Sequence, residues 1–172
     1  MNEAKMSKTE FGKAPEGDGW FVLNAGEAEW IKSPDFGHMC RFESDTARFP
    51  HVGINIHVLQ EGQPSCHYHR ESQQENFLIL SGTCKLLIEE QEVELGPMDF
   101  VHCPPETNHV FVGTGKEPCT MVAIGCRVGE TKITYPVSEL AKKYNASSPE
   151  ETTDPRVSYA NIQPRERIPA PY

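Results

Sequence analysis

The chain has 172 residues, with 16 Lys plus Arg against 25 Asp plus Glu, a formal charge of −9. That length suits one domain with a sizeable core, and the negative field disfavours nucleic acid and anionic membrane as partners. No run approaches the roughly 20 apolar residues of a membrane-spanning helix. The N-terminus, which mixes Lys5, Lys8 and Lys13 with Glu3, Glu10 and Glu16, has no apolar stretch of the secretory kind. A cytoplasmic protein is therefore expected. Its six cysteines (Cys40, Cys66, Cys84, Cys103, Cys119, Cys126) form no CxxC pair and read as reduced thiols acting as small hydrophobes. A hydrophobic fraction of 37% is low for a compact domain and points to polar tails.

Residues 1–17 carry Gly, Pro and charge without periodicity and read as a mobile arm. Short strands are expected at Trp20–Leu23, Ala28–Lys32 and His38–Glu43, with a turn cluster at Ser33-Pro34-Asp35-Phe36-Gly37. The centre is β-rich. Ile54–Gln60, Phe77–Leu80, Cys84–Ile88, Val93–Leu95, Phe100–Cys103, Val110–Val112 and Thr120–Gly125 are short apolar runs punctuated by Gly, Pro and charge. Glu89-Glu90-Gln91-Glu92 reads as a hairpin turn that lacks the usual Gly or Asn. This spacing predicts an all-β barrel or sandwich over residues 18–135, and no helical pattern between the runs supports βαβ units. One helix is expected over 136–145, because Val137, Leu140, Ala141 and Tyr144 share a face and Pro136 suits a first turn. Residues 146–172, with Pro149, Pro155, Pro164, Pro169 and Pro171, are expected to be an extended tail.

The chemistry concentrates at His67-Tyr68-His69. On a strand, residues i and i+2 point to one face, about 6–7 Å apart at Cα, which suits two ligands on one metal ion. Glu75 opens the next apolar run and Asn108-His109 opens another strand. Three imidazole nitrogens and a carboxylate oxygen suit divalent Fe, Mn, Ni, Co or Zn, and an octahedral ion would keep two positions open. Among neighbouring side chains, His57 and His102 are candidates for the pocket or for ordinary surface positions. Phe77 and Phe111 are either an apolar pocket lining or plain core, and Ile79 shares a face with Glu75 and Phe77. Alternation sends Cys66 and Tyr68 away from the two histidines.

The segment from Gly62 through His67-Tyr68-His69 and Glu75 to Gly82 resembles the first cupin motif, and Asp99 through Pro104 to His109 resembles the second, within core segments 62–82 and 96–113. The resemblance implies a cupin-type double-stranded β-helix, a jelly-roll barrel, with one short C-terminal helix and extended tails. It also implies that His67, His69, Glu75 and His109 hold one divalent transition metal ion. Three departures stand out. The Gly62-to-His67 gap is one residue short. The His69-to-Glu75 gap is long, which leaves Glu71 as a rival to Glu75. Glu106 stands where a turn Gly is usual, which implies a different turn backbone.

Cupins serve many functions, and a fold does not select one. A second cupin domain and a helix-turn-helix are not seen in the sequence, which disfavours oxalate-degrading bicupins, seed storage proteins and self-contained regulators. The expected activity is that of a metalloenzyme on a small organic substrate, dioxygenase-like or an isomerase or decarboxylase, with no acid–base residue named. The alternative is a non-catalytic, metal-stabilised small-molecule-binding module. The apolar Trp20, Phe21 and Trp30, together with the tail, suggest a homodimer.

Overall fold

The computed structural model describes residues 2–171. Its first strands, β1 (Lys5–Thr9) and β2 (Gly12–Glu16), form a hairpin. A short 3-10 turn (Ala25–Glu27), β3 (Trp30–Ser33), β4 (Gly37–Arg41) and β5 (Val52–Leu59) follow. Next come β6 (Arg70–Glu71), β7 (Glu75–Ser81), β8 (Cys84–Ile88), β9 (Gln91–Leu95), β10 (Phe100–Cys103), β11 (His109–Gly113), β12 (Cys119–Cys126) and β13 (Ile133–Thr134). The chain ends with helices α1 (Glu139–Lys142) and α2 (Pro155–Ser158) and strand β14 (Glu166–Ile168). The large sheet runs β10-β7-β12-β5-β4-β3-β14, and a smaller one runs β11-β8-β9. Every named pairing in both is antiparallel. This is the all-β double-stranded β-helix that the two motifs imply.

The core lies between the sheets. Leu59, Phe77, Ile79 and Met121 of the large sheet pack against Cys84, Leu86 and Phe111 of the small one. Tyr68, Leu87, Val110 and Val112 form a second cluster with Ala141 of α1 and Ala146. Alternation on β8 sorts the two clusters: Leu86 faces the first and Leu87 the second. All six cysteines are free, and Cys40, Cys84, Cys103 and Cys119 are buried apolar filling. No helix among the described residues is long and apolar enough to cross a membrane.

Several expectations need correction. Residues 5–16 are a hairpin rather than an arm without regular structure, and bridges from Glu3 to Trp20 and from Lys13 to Ala28 tie it to the body. Its polar strands carry no apolar alternation to announce it. Trp20–Leu23 is not a strand; only Trp20 makes a bridge. The helix is shorter than 136–145. Pro136 lies outside it, and the Ser138 side chain caps it by accepting from Ala141 N. Asn145, with φ 56°, ends it in the left-handed conformation. The segment 146–171 is not a free extended tail: it forms α2, then adds β14 to the edge of the large sheet beside β3. Trp30, expected among residues available for dimer contact, is fully buried, while Trp20 is 52% exposed.

Two turns use glutamate in the left-handed region, where a side chain is costly. Glu89 and Glu90 (φ 46° and 58°) make the two-residue β8–β9 turn, a conformation that favours Asn-Gly. External bonds hold it: Glu90 N donates to Tyr68 Oη (3.1 Å), and Asn108 N donates to Glu89 Oε1 (2.6 Å). Glu106 (φ 65°) takes the backbone expected of a Gly, so its turn is not different after all. Its N donates to Glu71 O (2.7 Å), and Arg70 Nε lies 3.3 Å from its carboxylate. Glu90→Gly removes the left-handed side-chain cost and keeps the bond to Tyr68. It is expected to stabilise the fold by about 0.5–1 kcal/mol after the larger entropy loss of Gly, read as a higher urea midpoint at unchanged m-value.

Candidate metal centre

Strand register decides which side chains face inward together. One row across the large sheet is Ile31, Met39, His57, Met121 and Ile79. The next is Arg41, Asn55, Ala123, Phe77 and Val101, and the next Gly53, Gly125, Glu75 and Cys103. Gly125 beside Glu75 leaves room above the sheet, since a Cβ there would meet nothing within 4 Å, while a Cβ at Gly53 would meet the Arg127 guanidinium at 2.8 Å. The result is a cavity of about 570 Å³, within the range of small-molecule pockets. Its lining includes Phe36, His57, Cys66, His69, Glu71, Glu75, Phe77 and Arg165.

Glu75 on β7, His69 at the entry to β6 and His109 at the start of β11 converge, with one ligand atom from each lying within 4.8 Å of the others. Glu75 Oε2 is 3.4 Å from His109 Nε2 and 3.8 Å from His69 Nε2. Both imidazoles are held alike. His69 Nδ1 lies 2.9 Å from His67 O and His109 Nδ1 lies 3.0 Å from Thr107 O, each the carbonyl two residues upstream. A carbonyl only accepts, so Nδ1 carries the proton and Nε2 offers a lone pair toward Glu75. Backbone-anchored imidazoles of this kind are the usual orientation of metal-binding histidines. Two nitrogens and a carboxylate oxygen fit a divalent cation; without one, the groups must share protons to coexist in a largely buried site.

Electrostatics points the same way. Burial pushes the Glu75 carboxyl up to about 7, against the opposing pull of His69. Burial and the nearby His69 bring His109 down to about 3. For His69, burial acts downward, but Cys66, Glu75 and Glu71 together outweigh it and raise the imidazole to about 10. The cluster thus retains protons near neutral pH that a cation would displace.

The fourth expected ligand, His67, is not in this cluster. The expectation assumed a strand through residues 67–69. The structure instead bends at residues 65–68, with isolated bridges at Pro64 and His69. Alternation fails across a bend, so the two histidines diverge. His67 Nδ1 lies 2.9 Å from Ser158 Oγ, and its ring stacks on Tyr159 with centroids 4.6 Å apart and planes at 7°. Cys66, set aside on the same alternation argument, lines the cavity, and its Sγ is 3.5 Å from His69 Nδ1. Glu71 also lines the cavity but is outside the three-residue cluster.

Of the other pocket candidates, Phe77 and His57 line the cavity. Ile79 and Phe111 are core and do not. Phe111 packs against Phe77 at 4.5 Å, in the layer that supports His109. His102 is outside: Val101 and Cys103 turn inward, which sends it to the outer face, where its Nδ1 meets Asn76 Oδ1 at 2.8 Å. Arg165 and Phe36 had no sequence signal, since both reach the cavity from segments read as tail and turn.

The raised Glu75 carboxyl fixes a pH dependence. Its folded pKa of about 7 lies above the ordinary carboxyl value of 4.5, so the folded state favours the protonated form. Stability is lost as pH rises from 4.5 through 7. In metal-free protein, Glu75→Gln should gain on the wild type by about 1–3 kcal/mol between pH 5 and pH 8. Added divalent metal should reverse the order at pH 8, by stabilising only the wild type. Urea titrations with and without chelator measure both.

Comparison with known proteins agrees with the strands that carry this cluster. Residues 55–125 match the cupin domain family. Quercetin 2,3-dioxygenase of Bacillus subtilis is 26% identical over 115 residues, 64% of this chain but only 34% of that enzyme. The chain therefore spans about a third of its length. Among solved structures, a sugar phosphate isomerase from Silicibacter pomeroyi superposes with TM-score 0.53 at 23% identity, over 59% of this chain and 66% of that one. The polyketide cyclase RemF of Streptomyces resistomycificus gives 0.59 at 12% identity, over 73% and 92%. At such identities these likenesses show the fold alone. With the family match over the central strands and this fold around them, residues 55–125 are a cupin domain.

Proposed function

We propose that the protein is a metal-dependent enzyme acting on a small organic molecule in the barrel cavity, with oxygenase-type chemistry its most specific version. The observation that carries this reading is the His69–Glu75–His109 cluster, of which His69 and Glu75 line the cavity. Two histidines and one carboxylate with further positions open are the donor set of non-haem iron oxygenases. The partial likeness to a quercetin dioxygenase supports the same direction. A divalent ion bound there supplies Lewis-acid polarisation of a substrate oxygen and, if it is iron, a route to O₂.

The chain's own residues do the rest. His67 O and Thr107 O orient the two imidazoles, so that Nε2 is the free nitrogen of each. Glu75 brings the negative charge, held at the end of an inward face shared with Phe77. Phe36, Phe77, Met39 and Met121 give the cavity an apolar wall that restricts water around the site. Gly125 keeps the space beside Glu75 clear for substrate, whereas the Arg127 guanidinium lies over Gly53.

Two variants test the reading. His69→Ala should abolish a near-stoichiometric metal content measured by elemental mass spectrometry, whereas His67→Ala should retain it. O₂ consumption with catechols or diketones by iron-loaded protein supports the oxygenase version; stoichiometric Zn without turnover favours a binding module. Gly125→Val fills open space in a strand that tolerates a branched residue. It should leave metal content and unfolding midpoint near wild type while cutting turnover at least about tenfold through lost access.

A further inference from the structure

Having left the cluster, His67 is 7% exposed and binds the C-terminal segment. Besides the contact to Ser158 and the stack on Tyr159, its backbone N donates to Tyr159 Oη (3.2 Å), and Phe36 meets its ring edge-on at 5.1 Å. Tyr159 also packs edge-on against Tyr135, whose ring centroid is 6.0 Å from that of His69. The segment is pinned twice more. Gln163 N donates to Asp35 Oδ2 (2.8 Å), and β14 pairs with β3, Glu166 opposite Lys32. Arg165 sits between these two anchors. Extending the β14–β3 register by one residue sets it beside Ser33, on the inward side shared with Ile31.

Arg165 lines the cavity and makes no hydrogen bond or ion pair among the described residues, whereas Arg127, the other arginine of the lining, is paired with Glu43 at 2.7 Å. Ser33, beside it, is 6% exposed, and its Oγ has no hydrogen-bond partner. The His57 side chain of the lining makes no hydrogen bond among the described residues either, and the Arg165 charge acts on it. A guanidinium held on a segment fixed at three points, next to an unsatisfied buried hydroxyl, is arranged to meet a ligand that brings negative charge and acceptor oxygens.

We propose that the cavity takes an organic anion, recognised by Arg165 on a C-terminal wall that His67 latches in place. This rests on the reading that the cavity holds a small organic molecule, and not on the metal. The shared chemistry is a carboxylate or a phosphate monoester attached to an apolar, aromatic-sized body that suits Phe36 and Phe77. His67 is a positioning residue for that wall.

Ligand-observed NMR on the protein as isolated, with benzoate, phenyl phosphate and the neutral benzamide, tests it. At least one anion should bind about tenfold or more tightly than benzamide, and the tighter one identifies the acid group. Arg165→Gln, a change at an exposed position, should erase that preference while leaving metal content and unfolding midpoint unchanged. Tyr159→Leu should weaken the latch. It should speed tryptic cleavage after Arg156 and Arg165 and reduce the anion preference without loss of metal. Equal binding of anions and benzamide, absence of binding by both anions, or a preference that survives in Arg165→Gln would each overturn the proposal. An absence of metal or of O₂ uptake counts against the enzyme reading alone, because none of these comparisons depends on turnover.

Discussion

The constraint on which this structure turns is the burial of one carboxylate and two imidazole lone pairs within a few ångströms of one another. Each group alone resists leaving water in its charged form. Together they have two ways out, protons or a cation. The pKa directions describe the first: Glu75 driven toward its neutral acid, His69 toward its cation, and His109 toward its neutral base. A divalent ion is the second, and it satisfies all three at once. The backbone acceptors at Nδ1 suit the second, because they leave Nε2 of each ring as the nitrogen that faces Glu75.

Much of the surrounding fold follows from keeping that cluster both dry and reachable. In the inward row, Gly125 leaves open space beside Glu75, while the row behind it carries Phe77, which packs on Phe111 below His109. The left-handed glutamates serve the same end. Glu89 fixes Asn108, the residue before His109, and Glu106 ties the turn ahead of it to Glu71 and Arg70. Each is a local backbone cost offset by a bond that positions the strand carrying His109.

The legible parts of the sequence were those governed by short-range periodicity. β8 and β10 carry the expected bounds, Cys84–Ile88 and Phe100–Cys103, because alternation and flanking Gly or Pro define them locally. Three of the four expected metal residues converge, since Glu75 and His109 sit at the ends of such strands. His67 did not follow, because its direction depends on a bend at residues 65–68 that no periodicity marks. Here Tyr68 N donates to Ala146 O (2.6 Å), a partner 78 positions away in sequence. The N-terminal hairpin and the C-terminal wall were illegible for a related reason: their polar, Pro-containing segments are ordered by contacts with the body rather than by their own pattern. Arg165 shows the consequence, a cavity residue inside a stretch whose composition reads as tail.

The bend exchanges one function for another. Turned inward, His67 would add a fourth protein donor to the cluster. Turned outward, it anchors Ser158 and Tyr159 and with them the segment that carries Arg165. On the proposed reading, three protein donors leave an octahedral ion three positions for small molecules rather than two. A bidentate organic ligand then still leaves one position for a second reactant. The same bend that opens the coordination sphere also supplies the wall that closes the cavity. A chain with a straight strand at residues 65–69 would have the opposite combination, a fuller metal site and a looser C-terminal segment.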